Sequence, residues 1–158
     1  MRVTIIAVGK LKEKGFDLAA REYLSRLNRH CRIEVIELPD EKDPGSASGK
    51  DMENTLKTEG GRILSRLRPQ DHVVVLEITG KRKDSISFSE NVSQWRDQSL
   101  SVVFVIGGSL GLSKEVCDRA DETLSLSEMT FPHQLARVML LEQLYRAFKI
   151  ISGQRYHK

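Results

Sequence analysis

The sequence predicts an α/β fold: a single-domain parallel sheet with helices on both faces. Three observations point there. Apolar runs rich in β-branched residues recur at 3–8, 71–78 and 102–106, and strands apolar at every position suit burial on both sides of a sheet. The stretches between them carry apolar residues at helical spacing. The two patterns alternate along the whole chain, and such alternation closes a parallel sheet covered by helices. At 158 residues the chain is large enough for one good core and reads as one domain, 1–158.

The elements follow in order. Val3–Val8 is a buried strand ended by Gly9. Phe16–Asn28 has helical spacing through Phe16, Leu18, Ala19, Ala20, Tyr23, Leu24 and Leu27. Ile33–Leu38 alternates apolar and acidic residues and stops at Pro39, which marks a second strand. Pro44–Gly49 has loop composition. Lys50–Arg66 is a polar helix weakened by Gly60-Gly61. Asp71–Ile78 is a central strand, Ile86–Gln98 a short helix with the single tryptophan, Trp95, and Val102–Ile106 an apolar strand. Ser113 is positioned to cap a helix over Lys114–Ala120. Thr123–Leu126 is a short last strand.

The final helix stands out. Pro132 suits its first turn and Gly153 its end. Apolar residues fall on nearly every side of it, which implies burial on two faces, one on the core and one in a subunit interface. From Met129 onward the acid Glu142 faces five bases, an excess larger than the +3 of the whole chain. A site for an anionic partner where two subunits meet is the expectation.

Composition narrows the classes. The chain is 39% hydrophobic and 30% charged, as ordinary globular proteins are. No apolar run approaches a membrane span of roughly 18 residues, and the first ten residues are too strand-like for a signal peptide. Cys31 and Cys117 lie far apart and match no metal spacing. They read as reduced thiols in a cytoplasmic protein.

Ligands of such sheets bind beyond the carboxyl ends of the strands. Three segments fall there: Glu77–Lys83, Gly107–Gly111 and Ser127–Pro132. The Gly-Gly-x-x-Gly of 107–111 is neither a dinucleotide fingerprint nor a phosphate loop, because Leu112-Ser113 stands where Lys-Ser/Thr is needed. Gly107-x-Ser109-x-Gly111 formally matches a nucleophile elbow, with Asp118 or Asp121 and His133 or His157 in hydrolase order. The helix-cap signal at Ser113, four residues after Ser109, argues against it. Exposed backbone beside Leu76, Ile106, Leu126 and Phe131 suits a flat heterocycle such as adenine.

Five motifs, in order, then carry a resemblance. Val-Leu-Glu-Ile-Thr-Gly-Lys at 75–81, Ile-Gly-Gly-x-x-Gly-Leu-Ser at 106–113, Leu-Ser-x-Met-Thr-Phe-Pro-His at 126–133, Glu-Gln-Leu-Tyr-Arg-Ala at 142–147 and the terminal Tyr-His-Lys resemble the RlmH family. These are SPOUT-class methyltransferases of large-subunit ribosomal RNA. The resemblance implies S-adenosylmethionine as cofactor, a C-terminal trefoil knot, a homodimer, and methylation of N3 of a pseudouridine in 23S rRNA of assembled ribosomes. It implies a cofactor pocket of Leu76, Gly108, Ser127, Glu128, Met129, Thr130, Phe131 and Pro132. It implies Arg146, Tyr156 and His157 on the RNA side and in the chemistry. This chain departs from the pattern at Glu77, where relatives often have aspartate, at Phe131 and at Arg155.

The chemistry asks for suitable groups. The imide N3 must lose a proton before it attacks, which suits a histidine titrating near neutrality. His157 is the first choice and His133 the second. Arg146 or Lys158 would stabilise the developing anion, and Tyr156 would stack on the base. A non-catalytic RNA- or ribosome-binding protein on the same fold is the alternative.

Overall fold

A computed structural model describes residues 1–42 and 49–154. Its elements are β1 (Arg2–Val8), α1 (Lys14–Leu27), β2 (Arg32–Leu38), α2 (Gly49–Leu64), β3 (His72–Arg82), α3 (Ser85–Asp97), β4 (Ser101–Ile106), α4 (Lys114–Arg119), β5 (Glu122–Ser125) and α5 (His133–Ile151). The expected α/β alternation is present. Nearly all of the Pro44–Gly49 loop, and the terminal Arg155, Tyr156, His157 and Lys158, lie outside the described residues.

All strand pairs are parallel, in the order β2-β1-β4-β3-β5. β1 is interior, flanked by β2 and β4, and Val3, Ile5, Ile6, Ala7 and Val8 are fully buried. Period-2 alternation sends Val3, Ile5 and Ala7 to one face and Ile6 and Val8 to the other. The first face packs under α1, α3 and α5 and the second under α2 and α4. Leu140, Leu141 and Leu144 of α5 are fully buried. Truncating any of them to alanine would cost about 2–5 kcal/mol.

Two local readings change. β3 does not end near Ile78. It runs on to Arg82, pairing β5 at Leu76↔Leu124 and again, after an irregularity, at Lys81↔Leu124 and Arg82↔Ser125. Gly80 allows this, since a Cβ there would sit 2.8 Å from the Leu124 backbone carbon. The expected Thr79-Gly80 loop is therefore part of a strand with an irregularity in its pairing to β5. Ser113 does precede α4, but its side chain makes no cap hydrogen bond. The hydroxyl is buried against Gly60, where a Cβ would come within 2.4 Å of it. Gly60 thus brings α2 and α4 together rather than merely weakening α2. Gly153, with φ +67°, ends α5 as expected.

Neither cysteine is in a disulfide. Burial pushes the Cys31 thiol up to about 11. Among the described residues no helix is long and apolar enough to cross a membrane, and no His/Cys/Asp/Glu group could hold a metal ion.

Candidate functional site

Beyond the carboxyl ends of β3, β4 and β5 lies a cavity of about 600 Å³. It sits in the size range of small-molecule sites. Leu76, Glu77 and Ile78 line it from β3, Ile106–Ser109 and Gly111 from the turn after β4, Leu124 and Leu126–Ser127 from the end of β5, and Met129–His133 with Ala136 from the start of α5.

Each wall has a local cause. The β4–α4 turn folds back on itself through Gly111 N–H donating to the Gly108 carbonyl at 3.2 Å. Gly107 has no room for a side chain, since a Cβ would meet the Gly111 carbonyl oxygen at 2.5 Å. Gly111 has φ +82°, a left-handed conformation that glycine adopts without strain. The segment after β5 is held by two serines. Ser125 Oγ donates to the Ser127 carbonyl at 3.0 Å, and Ser127 Oγ accepts from Met129 N–H at 3.0 Å. Pro132, in extended conformation, precedes α5 and turns the chain into it.

The cavity therefore gathers Leu76, Gly108, Ser127, Met129, Thr130, Phe131 and Pro132 from three distant parts of the sequence. Glu128 is not on its wall. That carboxylate points outward to Arg82 at 2.6 Å, and both side chains are exposed. Arg146 is not there either. It lies more than three turns along α5 from His133, roughly 20 Å by helix rise, with its guanidinium on Glu142 at 2.5 Å. The described part of the chain does not bring Arg146 to the cavity.

Several groups at the site were not singled out as pocket residues. Glu77 lines the cavity, and its carboxyl oxygen lies 3.9 Å from Cys117 Sγ. Burial raises its pKa, with the Cys117 contact opposing. His133 also lines the cavity. Burial first, then the Arg137 charge, lowers its pKa, so the imidazole is neutral at pH 7. Arg137, 1% exposed, reaches the Glu37 carboxylate at 2.5 Å and the Gly9 carbonyl at 2.7 Å. It fixes the start of α5 to the ends of β1 and β2. Behind the glycine turn, buried Glu59 accepts from Glu41 N–H at 2.9 Å. A Cβ on Gly108 would fall 2.9 Å from its other oxygen. One sequence signal pointed to Arg137: it is the one charged residue in an otherwise apolar helical stretch, 135–141. Spacing pointed to Glu59 too, since it stands three residues after Leu56 and four before Ile63, on the apolar face of α2.

The walls suit an adenine nucleoside. The surface is mostly apolar, glycine turns expose backbone, and Ser109, Ser127 and Thr130 bring hydroxyls. The serine hydrolase reading gains nothing, since Ser109 is exposed in a turn and α4 begins only at Lys114.

Comparison with known proteins agrees with this geometry. The model of the family described as predicted SPOUT methyltransferase matches residues 1–157. A probable methylase family protein from Haemophilus influenzae Rd KW20 shares the fold with a TM-score of 0.53 at 14% identity, over 99% of this chain and 70% of that one. A Legionella pneumophila protein assigned as a methyltransferase, solved in complex with SAM, gives a TM-score of 0.51 at 13% identity, over 93% of this chain and 66% of that one. This chain thus spans about two thirds of their length, and at such identities the likeness speaks for the fold alone.

Proposed function

Because this chain belongs to the SPOUT methyltransferase family, we propose that it uses S-adenosylmethionine to methylate N3 of a pseudouridine in 23S rRNA of assembled ribosomes. The cavity at the strand ends carries the reading: it joins the Leu76, Gly107-Gly108 and Ser127–Pro132 motifs in one adenosine-sized space. Bound there, S-adenosylmethionine supplies an electrophilic methyl carbon.

The chain's own residues do the rest. Leu76, Ile106 and Leu126 would hold the heterocycle by apolar contact, and the glycine turn and the Ser127–Pro132 segment would offer it backbone groups. Positioning the acceptor in line supplies much of the rate. Neutral His133 is able to take a proton from an imide, and His157 is the alternative base. Arg146 and Tyr156 would serve the RNA substrate.

Arg146 reaches such a site in a homodimer. Leu135, Met139, Glu142, Arg146 and Ile150 form one half-exposed stripe along α5 at spacings of three and four residues. A second copy packed on this stripe would cover Leu135, Met139 and Ile150 and bring Arg146 to an intersubunit cleft. A trefoil knot around the pocket and a cytoplasmic location belong to the same reading.

The test is transfer of labelled methyl from S-adenosylmethionine to unmethylated 70S ribosomes, separate subunits and free 23S rRNA, with Tyr156→Ala and His157→Ala proteins alongside. Label confined to 70S and lost in both variants is the expected result. Cofactor binding without label in any acceptor would point to another substrate, and absence of cofactor binding as well would favour the non-catalytic RNA-binding alternative.

A further inference from the structure

The wall of the cavity carries an asymmetry of charge. Among the described residues that line it, Glu77 is the one carboxylate, and no lysine or arginine lines it. His133, the other ionisable group there, is neutral at pH 7 for the reasons given above. The rest of the wall is largely apolar, with Leu76, Ile106 and Leu124 among its residues. Among the described residues, the hydrogen-bonding contact of the Glu77 carboxylate is the weak one from the Cys117 thiol.

We infer that Glu77 is a specificity-determining residue of this pocket, selecting a ligand that carries positive charge over its neutral counterpart. The inference rests on the methyltransferase reading and deepens it, since the substrate cofactor is a sulfonium and the spent product a neutral thioether. A half-buried carboxylate beside apolar side chains is costly to ionise when nothing balances it. The raised pKa of Glu77 agrees with that cost. A cation entering the pocket restores the balance, and an anion worsens it. The carboxylate would then help the product leave, because loss of the methyl group removes the charge that Glu77 favours.

Calorimetric binding to the intact protein tests this without any turnover. S-adenosylmethionine and S-adenosylhomocysteine are titrated into wild type, Glu77→Gln and Glu77→Asp. One pKa unit of charge interaction is a factor of ten, so the sulfonium-to-thioether affinity ratio should fall about tenfold in Glu77→Gln and persist in Glu77→Asp. Retained thioether binding shows that the Gln variant is folded. An unchanged ratio, or an equal loss for both ligands, overturns the inference while leaving the methyltransferase reading intact. Wild-type protein that binds neither ligand overturns both. A second measurement needs no variant: wild type should bind adenosine about tenfold more tightly than adenosine monophosphate, and a preference for the phosphate would also overturn the inference.

Discussion

Arg137 on α5 donates to the backbone carbonyl of Gly9, 2.7 Å away, across a separation of 128 residues. The same guanidinium holds Glu37 at the end of β2. One side chain thereby joins the ends of β1 and β2 to the helix whose first turn walls the pocket. Removing one partner from a buried ion pair costs more than the pair contributes, because a desolvated group is left alone. Arg137→Met should lose about 3 kcal/mol in denaturant unfolding. Arg137→Lys should recover only part, since an ammonium does not offer the same fork of donors. Equal stability of wild type and Arg137→Met would refute the pinning role.

Gly107→Ala tests the glycine turn. The added methyl would meet the Gly111 carbonyl at 2.5 Å, and both atoms belong to backbone that has no rotamer escape. The expected outcome is a loss of about 1–3 kcal/mol in stability. A fall in S-adenosylmethionine affinity of more than about tenfold should accompany it. Melting curves with and without cofactor separate the two effects. Gly61→Ala, where nothing lies within 4 Å, is the control: it should leave cofactor affinity unchanged and raise stability by about 0.5–1 kcal/mol through helix propensity.

His30 should make the fold sensitive to mild acid. Its ring stacks on Phe148 at 5.5 Å and 10°. Burial, then the Lys149 and Arg29 charges, lowers its pKa below the ordinary 6.5. The unfolded chain therefore binds a proton more readily than the folded one. Stability is full above pH 6.5 and is lost as pH falls from there through the folded pKa. His30→Phe, which keeps the stack without the titration, should flatten this slope in urea unfolding between pH 7.5 and 5. An identical slope in the variant would assign the acid sensitivity elsewhere.

Cys117 should report on Glu77. Burial raises its pKa most, followed by the Glu77 charge. Glu77→Gln removes the second cause and leaves the first, so the thiol pKa should fall yet remain above its ordinary value. The rate of iodoacetamide alkylation against pH reads this, and a profile unmoved by the substitution would show that the two side chains do not interact. Cys31, whose thiol is pushed up to about 11, should stay unreactive throughout.

Much of the architecture was legible because its signals are local. Val-Val-Phe-Val-Ile at 102–106 can bury both faces only as a central strand, and Gly153 ends α5 through its own backbone freedom. The strand ends that form the cavity followed from the alternation alone. What escaped depends on partners remote in sequence. The extension of β3 to Arg82 exists because β5 offers Leu124 and Ser125 beside it. Ser113 looked like a cap and is instead a hydroxyl buried against Gly60. Glu128 sits within a pocket motif, yet its side chain turns outward to Arg82. Backbone position was readable there and side-chain direction was not.

The interior place of β1, between β2 and β4, also governs how the chain must be made. Ile5 pairs with Val35 on one side and with Phe104 on the other. During synthesis the β2 edge is satisfied early, while the β4 edge stays open until about 70 further residues have emerged. At roughly 5–20 residues per second that interval lasts several seconds. Throughout it, a strand destined for complete burial presents an unpaired apolar edge, the template on which wrong strands add. A nascent chain of this protein is therefore most vulnerable to misassembly, and most in need of chaperone cover, after β2 and before β4 leaves the ribosome.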